Sequence, residues 1–289
     1  MFQKTNLWLL IAILIAIMGC RGEQGPQGPP APESPPICVF GFVYGPTGSD
    51  TTSSVGINVY LKEFLPEIPL TKINDIEIPA GCFGGNSFCY SEYDLAVNPG
   101  DSANLTIGFT KVDGSPGTVW AKGVLPGKFA ITSHDTASED TIMKGDSVTV
   151  TWAPSSGASY YFIDFYFYYH YIDTSGNDES FSYSMDTTLT DTSITFPASM
   201  LFPNLAEIDS VRYGYGHFDI EAIHGPVLEG GSEGNVSGDG LGFYLLETEG
   251  GDLQLTVAGS LLLVQRGENP KERIRKILKE KAMERLGMK

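Results

Sequence analysis

Short runs of alternating apolar and polar residues, separated by turn residues, are the feature that most constrains the fold of this chain. Alternation with a period of two is typical of half-buried β-strands, whose successive side chains point to opposite faces of a sheet. Helical periodicity is nearly absent before the last 24 residues. We therefore predict an all-β fold of two tandem antiparallel β-sandwich domains.

The runs divide the chain into two predicted modules. The first module, residues 37–130, contains strand-like runs at 37–44, 55–61, 93–97, 104–110 and 118–125. The second module, residues 131–265, opens with a run that places Val148, Val150 and Trp152 on one face of a strand. Its later runs lie at 161–171, 193–197, 217–222, 241–246 and 253–264.

The N-terminal segment predicts export and anchoring. An apolar run at 7–18 is shorter than the roughly 20 residues that a spanning helix needs. The pattern Ile17-Met18-Gly19-Cys20 that ends it resembles the lipobox of bacterial lipoprotein signal peptides. The resemblance implies that residues 1–20 are a signal peptide and that Cys20 is lipidated and becomes the mature N-terminus. An uncleaved anchor is the alternative, and both place the body outside the cytoplasm.

Residues 21–36 form a predicted Pro- and Gly-rich tether between the anchor and the body. Their Pro content favours an extended, semi-rigid spacer. Arg21 directly follows Cys20, where an Asp would favour inner-membrane retention in many Gram-negative bacteria. We therefore expect attachment to the outer membrane if the source has one, and the membrane is a partner through the lipid anchor.

Both modules resemble known β-domain families. Gly41-x-Val43 and Gly56-x-Asn58-Val59-Tyr60-Leu61 resemble the start of carboxypeptidase-regulatory-like domains, which are small Greek-key modules. The strand that ends at Trp152, the following Pro154 and the Phe218-x-Ile220-x-Ala222 strand resemble fibronectin type III and related immunoglobulin-like domains. These resemblances imply β-sandwich folds and no particular ligand.

Charge and cysteine content limit the partners of the chain. Residues 21–265 contain 8 Lys and Arg against 31 Asp and Glu, a net charge of −23. Nucleic acid is therefore not expected as a partner, because its phosphates would be repelled. Besides Cys20, the chain contains Cys38, Cys82 and Cys89. We expect either a Cys82–Cys89 disulfide across the Gly-rich stretch between them or three buried thiols.

Motifs for catalysis or metal binding are weak. Residues 230–234 match Gly-x-Ser-x-Gly but lack the strand-turn-helix context of a nucleophile elbow. Asp173 opens a segment similar to half of a calcium loop, for which a polar hairpin tip is the simpler interpretation. His217, Asp219 and Glu221 share a strand face, which suits either metal ligands or a solvated face. We predict no enzyme activity, no cofactor and no metal site.

The aromatic run at 161–171 is the best candidate for recognition. If its odd-numbered residues face the core, Phe162, Tyr166, Tyr168 and His170 form a platform on the opposite face. Exposed aromatic rings can stack on sugar rings or anchor a protein partner. The alternative is burial of these rings in cross-strand packing or against the first module.

Residues 266–289 predict a short amphipathic helix with a net charge of +5. Its apolar stripe consists of Ile274, Ile277, Leu278, Ala282 and Leu286. Three arrangements suit such a helix: a mobile, solvated helix, a helix docked on the acidic body or on a partner, or contact with anionic lipid.

The sequence as a whole predicts a lipid-anchored, non-enzymatic surface protein with a structural or display role. The alternative is an adhesin-like module that binds a surface glycan or a protein through the aromatic run. A contiguous exposed aromatic patch favours binding, buried rings favour a structural role, and a cleft with convergent polar groups favours an enzyme.

Overall fold

The computed structural model describes residues 37–46, 52–62, 65–84, 87–133, 140–228, 234–257, 276–280 and 283–284. The predicted signal peptide, Cys20 and the tether lie outside these ranges. The described residues are mostly β-strand, which confirms the predicted all-β sandwich. None of the helices in these ranges is long and apolar enough to cross a membrane.

Within the described ranges, the chain up to Ala121 forms eight strands, numbered in chain order. They are β1 (Ile37–Tyr44), β2 (Ser53–Leu61), β3 (Leu70–Ile73), β4 (Ile76–Ile78), β5 (Ala80–Gly84), β6 (Ser87–Leu95), β7 (Leu105–Thr110) and β8 (Pro116–Ala121). β2 alternates buried and half-buried residues along its whole length, as a period of two predicts for a strand with one face in the core.

Eight further strands follow in the described part of the remaining chain. They are β9 (Asp140–Ile142), β10 (Val148–Thr151), β11 (Tyr160–Asp173), β12 (Asp178–Leu189), β13 (Ser193–Phe196), β14 (Ile208–His224), β15 (Ser237–Gly238) and β16 (Gly240–Val257). A one-turn helix, α1 (Ala198–Leu201), and a 3-10 turn (Leu205–Glu207) connect β13 to β14. Residues 276–280 are also helical.

One long sheet contains strands from both predicted modules. Its order is β12-β11-β14-β16-β1-β2-β6-β5, and β9 joins it beside the end of β16. Most neighbours in this sheet are antiparallel, but β1 and β16 run parallel, from Ile37 opposite Gly240 to Tyr44 opposite Glu247. The last long strand of the predicted second module thus pairs with the first strand of the predicted first module.

Two smaller sheets and two apolar cores lie on one face of the long sheet. The sheet β15-β8-β7-β3-β4 encloses the first core, to which the long sheet contributes residues such as Val39 and Ile57. The pair β10-β13 encloses the second core, which contains Trp152 and Phe165. Trp152 is 3% exposed, so its predicted burial is confirmed.

A third apolar cluster lies on the opposite face of the long sheet, because neighbouring residues of a strand point to opposite faces. Its members from the sheet are all buried: Phe40, Phe42, Tyr160, Phe162, Ile223, Phe243 and Leu245. Leu278, from the C-terminal helical segment, is 1% exposed and belongs to the same cluster. The described part of this segment is therefore docked on the body. Docking on the body is one of the three arrangements that the sequence left open for the C-terminal helix.

The strand β16 differs from the sequence prediction. Residues 241–246 and 253–264 were expected to form two strands around a Gly-rich turn. Instead one strand, β16, runs through Gly250 and Gly251, and residues 258–264 lie outside the described ranges. Gly251 has a positive φ of 102°, and the pairing register with β14 shifts between Asp219 and Glu221. The two glycines therefore form an irregularity within a continuous strand rather than a chain reversal.

Candidate ligand-binding face

The aromatic strand β11 has two faces with different surroundings. Ile163, Phe165, Phe167 and Tyr169 are buried in the second core. Phe165 stacks on Phe196 of β13 with ring centroids 3.9 Å apart. This anchors β11 between β12 and β14 and fixes the direction in which its even-numbered side chains point.

The opposite face of β11 and β14 carries a contiguous cluster of rings, which we call the aromatic face. It consists of Tyr166, Tyr168, His170, Tyr213 and Tyr215. Ring centroids lie 5.7 Å apart between Tyr168 and Tyr215 and 4.5 Å apart between His170 and Tyr213. Four of the rings are half-buried, and the fifth, Tyr213, is exposed at 36%. Neighbouring rings are tilted by 33° to 79°, so the cluster is a corrugated surface rather than a flat plate.

Phe162 does not belong to this surface, and the prediction that it forms part of a ligand platform is wrong. Its side chain points to the same side of the sheet as Tyr166 but is fully buried. The reason is that Phe162 belongs to the third cluster, which also contains Leu278 of the C-terminal segment. The platform predicted from the sequence is therefore reduced to Tyr166, Tyr168 and His170.

A polar rim borders the aromatic face along β12. Asp178 Oδ1 lies 3.7 Å from His170 Nδ1, and Asp178 Oδ2 accepts a hydrogen bond of 3.1 Å from Arg212 Nη1. Ser184 and Ser182 lie opposite Tyr166 and Tyr168 in the β11–β12 register. Hydroxyl, carboxylate and guanidinium groups thus lie beside the rings and can fix the orientation of a bound molecule.

The electrostatic environment of the aromatic face is negative. Partial burial of the Tyr168 hydroxyl raises its pKa, and a hydrogen bond with Tyr213 and the charge of Asp178 raise it further. The hydroxyl therefore keeps its proton at neutral pH and remains available as a hydrogen-bond donor. The nearby carboxylate and the acidic body together oppose the approach of an anionic ligand.

A band of carboxylates separates the aromatic face from the third cluster on the same face of the sheet, and we call it the acidic band. Four Asp residues lie opposite one another across β12, β11, β14 and β16 in the order Asp186, Asp164, Asp219 and Asp252. Glu221, Glu247 and Glu249 continue the band towards the third cluster. Like charges in such positions repel one another, so the band favours cations nearby.

His217 forms a close ion pair with one member of the acidic band, since its Nε2 atom lies 2.6 Å from Asp219 Oδ2. Burial alone would lower the pKa of His217, but the hydrogen bond and charge of Asp219, with Asp252 and Asp164, raise it overall.

The described residues contain no group of three His, Cys, Asp or Glu residues that could hold a metal ion. The solvated-face interpretation of His217, Asp219 and Glu221 is wrong for the two carboxylates, because Asp219 and Glu221 are 8% and 6% exposed.

Two of the remaining candidates, Asp173 and the cysteine pair, lie in structural contacts, and the third lies mostly outside the described ranges. Asp173 accepts hydrogen bonds from the backbone and side chain of Asn177 and from the backbone of Ser175, and these bonds lower its pKa, as in a closed hairpin tip. Cys82 and Cys89 lie opposite each other on β5 and β6 and are joined by a disulfide bond. Residues 230–233 of the Gly-x-Ser-x-Gly match lie outside the described ranges.

Two residues of the aromatic face, Tyr213 and Tyr215, were not among the predicted platform residues. Their alternation in Tyr213-x-Tyr215-x-His217 was a usable signal, because it places three rings on one face of a strand. Their position beside Tyr168 depends on the β11–β14 register, in which Tyr168 lies opposite Tyr215. That pairing has no local mark in the sequence.

Comparisons with known proteins give fold neighbours alone. No family model matches the chain, and no curated protein matches it. The chain is similar to fibronectin(III)-like modules of CbhA from Clostridium thermocellum, with 8% identity, a TM-score of 0.31, and coverage of 80% of this chain and 100% of that chain. It is also similar to the IG1 and IG2 domains of DIP-gamma, with 8% identity, a TM-score of 0.22, and coverage of 77% and 98%. At these TM-scores the sandwich assignment rests on the strand pairings rather than on either likeness.

Proposed function

We propose that this chain is a non-enzymatic, lipid-anchored protein displayed outside the cytoplasm, and that its β-sandwich body binds an extracellular partner through the aromatic face. The anchoring part rests on the lipobox-like segment that ends at Cys20 and on the Pro- and Gly-rich tether that follows it. Lipid chains added at Cys20 would hold the protein on the membrane, since two or more chains give stable anchoring.

The observation that carries the binding part is the contiguity of Tyr166, Tyr168, His170, Tyr213 and Tyr215 on one partly exposed surface. Rings needed only for packing would be expected inside a core, as Phe165 and Phe167 are. Clustered tyrosines with neighbouring hydroxyl and charged groups supply large contact area and directed hydrogen bonds, which are typical of recognition surfaces. This favours a binding role over a purely structural one.

The partner that suits this surface is a neutral or cationic molecule. Sugar rings and protein side chains both stack on aromatic faces, and a Lys or Arg side chain is also attracted by the ring electrons. An anionic ligand is disfavoured by the net charge of −23 over residues 21–265. A neutral surface glycan or a basic protein segment therefore fits best.

Anchoring is tested by mass spectrometry of the mature N-terminus and by fractionation of cells that express the Cys20→Ala variant. We expect acyl chains on Cys20, no residues from 1–19, and loss of Cys20→Ala from the membrane fraction. An intact Met1, or unchanged membrane partitioning of a processed Cys20→Ala chain, would contradict the lipid anchor.

Binding is tested with the full chain against immobilised neutral glycans, acidic glycans and basic peptides. Replacing Tyr168 and Tyr215 by Ala should weaken the selected ligand at least about tenfold, since central aromatic residues dominate interface energies. Tyr93→Ala is the matched control, because Tyr93 is 77% exposed and lies on β6. Equal loss in both variants, or no binder apart from acidic glycans, would overturn the assignment.

A further inference from the structure

The strand β12 is one edge of the long sheet. Among the described residues its single neighbour is β11, so the backbone donors and acceptors on its other side point away from the sheet. The pairing with β11 keeps one register from Asp178 to Leu189 without a bulge. The strand also contains neither Pro nor Lys, which often prevent an edge from pairing with another chain. β12 therefore presents a long, regular edge to which a further strand can be added.

The opposite edge of the same sheet is less suited to such pairing. β5 has five residues, a register shift between Ala80 and Cys82, and a disulfide that joins it to β6. Short length and a bulge both limit the addition of a strand. Of these two edges, β12 is the one that matches the length of an ordinary strand of a partner.

The inner face of β12 leaves part of the second core uncovered at this edge. Phe181, Tyr183 and Met185 pack against that core but are half-buried, whereas Phe165 and Phe167 of β11 are fully buried. Apolar side chains of an added strand would remove the remaining surface from water, which is favourable in proportion to the area buried. Every second residue of a suitable segment is therefore expected to be apolar.

The outer face of β12 is a strip of small side chains beside the aromatic face. An exposed serine lies opposite each of three of its rings: Ser180 opposite His170, Ser182 opposite Tyr168, and Ser184 opposite Tyr166. An added strand would lie two strand spacings, or roughly 10 Å, from β11. A Lys or Arg side chain can extend its stem across the serines and place its cation on a tyrosine ring.

The charge of this edge favours a basic partner. Asp178, Glu179 and Asp186 are exposed on β12, which has no Lys or Arg of its own. The net charge over residues 21–265 is −23. A second copy of the chain or an acidic segment would be repelled at this edge, whereas a basic segment would be attracted.

We propose that β12 accepts an extended, basic segment of a partner protein as a further strand of the long sheet. Its apolar residues cover the second core, and its Lys or Arg residues lie across the serines on the aromatic face. This rests on the proposed binding role of the aromatic face and selects a basic protein segment over a glycan. Backbone hydrogen bonds supply affinity, and the alternating side chains supply specificity.

The test uses the full chain, hydrogen exchange with mass spectrometry, and a synthetic peptide of alternating Lys and Val about ten residues long. We expect this peptide to slow the exchange of the outward-pointing amides within 179–185 at least about tenfold, because an added strand supplies their partners. Two control peptides should give no protection. The same sequence with every backbone nitrogen methylated keeps the charges but has no amide donor, and alternating Glu and Val reverses the charge.

A pair of variants tests the position of the added strand. Ser182→Lys with Ser184→Lys places two cations on the serine strip and should weaken binding of the Lys-Val peptide at least about tenfold. Thr106→Lys with Thr118→Lys is the matched control of equal charge, because both threonines are exposed on β7 and β8 of a smaller sheet. It should stay within about threefold of the parent chain. Protected β14 amides in both variants show that the sheet remains folded.

Three results would overturn the proposal: equal protection by either control peptide, equal weakening in the two Lys variants, or protection without peptide that rises with protein concentration, which would assign the edge to a second copy. A neutral glycan that binds through Tyr168 and Tyr215, with no binding of the Lys-Val peptide, would overturn strand addition and leave the proposed binding role intact. Protection by the peptide that persists in the Tyr168→Ala, Tyr215→Ala variant would support strand addition and contradict the role of the aromatic face.

Discussion

Phe40 of β1 lies opposite Phe243 of β16 in a parallel pairing, and both rings are buried in the third cluster. Parallel neighbours need a long crossover connection, and here the chain between them includes most of both predicted modules. The first core depends on the same pairing, since it contains Tyr244 and Leu246 of β16. The β1–β16 pairing therefore connects the two halves of the long sheet.

The first prediction concerns the close approach of these two strands at Gly242. A Cβ at this position would collide with the backbone carbonyl of Val39, and the φ of 149° also disfavours other residues. Gly242→Ala should lower the free energy of unfolding by about 3 kcal/mol or more.

Gly56→Ala is the matched control on β2, where a Cβ meets nothing within 4 Å. It should change the stability by less than about 1 kcal/mol. Urea unfolding of the full chain, followed by tryptophan fluorescence, measures both variants, and equal midpoints would refute the close approach.

The second prediction compares the same substitution at a buried and an exposed tryptophan. Trp152 is enclosed in the second core, with ring centroids 5.5 Å from Tyr161 and 6.2 Å from Phe218. Trp152→Ala should cost about 3–5 kcal/mol, as large core truncations do. Trp120 is 44% exposed, so Trp120→Ala should cost less than about 1 kcal/mol. Similar losses in the two variants would show that the placement of Trp152 is wrong.

Local strand structure was predictable from the sequence because alternation reports burial on one face. The predicted run 37–44 has the bounds of β1, and the run 161–171 lies within β11. The inward direction of Ile163, Phe165 and Phe167 was the condition on which the predicted platform depended, and these side chains do lie in the second core. These properties depend on neighbouring residues along one strand, which the sequence shows directly.

Long-range relationships were not predictable in the same way. The parallel pairing of β1 with β16 leaves no local signal in the sequence, because the residue pattern of each strand is that of any buried strand. The burial of Phe162 depends on a cluster that contains Leu278 far along the chain. The aromatic face was therefore predicted with one residue too many, Phe162, and without Tyr213 and Tyr215 of the neighbouring strand.

The third prediction concerns pH. The pKa of His217 is raised in the folded chain, mainly through Asp219 acting against burial, so the folded state holds the proton more tightly than the unfolded state. Its contribution to stability is complete below the unfolded pKa of about 6.5 and is lost as pH rises through the folded pKa. His217→Gln should therefore destabilise the chain more at about pH 5.5 than at about pH 9.

Asp219→Asn is the control for this effect. Without the carboxylate, the pH dependence of the His217→Gln penalty should decrease, which urea unfolding at the two pH values measures. A penalty for His217→Gln that grows with pH would contradict the assignment of the proton.

The fourth prediction concerns the cysteines. Removing the Cys82–Cys89 bridge by Ser substitution at both positions should lower stability by about 2.5 kcal/mol, from the entropy of the loop that it closes. Alkylation of the native mature chain should label Cys38 alone, and slowly, because burial raises the pKa of its thiol. Rapid labelling at Cys82 or Cys89, or unchanged stability of the double Ser variant, would exclude a structural bridge.

The last prediction distinguishes a docked C-terminal helix from a lipid-bound one. Deletion of residues 269–289 removes Leu278 from the third cluster and should expose the rings of Phe40, Phe162 and Phe243 to water. We expect a lower melting temperature and new binding of an apolar fluorescent dye. Leu278→Ala should reproduce much of the loss of stability, at about 2–4 kcal/mol, whereas Lys279→Ala at an exposed position should not.

Anionic vesicles should bind the parent and the deleted chain equally in the Cys20→Ala background. Unchanged melting on deletion, together with salt-sensitive vesicle binding that needs residues 269–289, would instead assign the helix to the membrane surface.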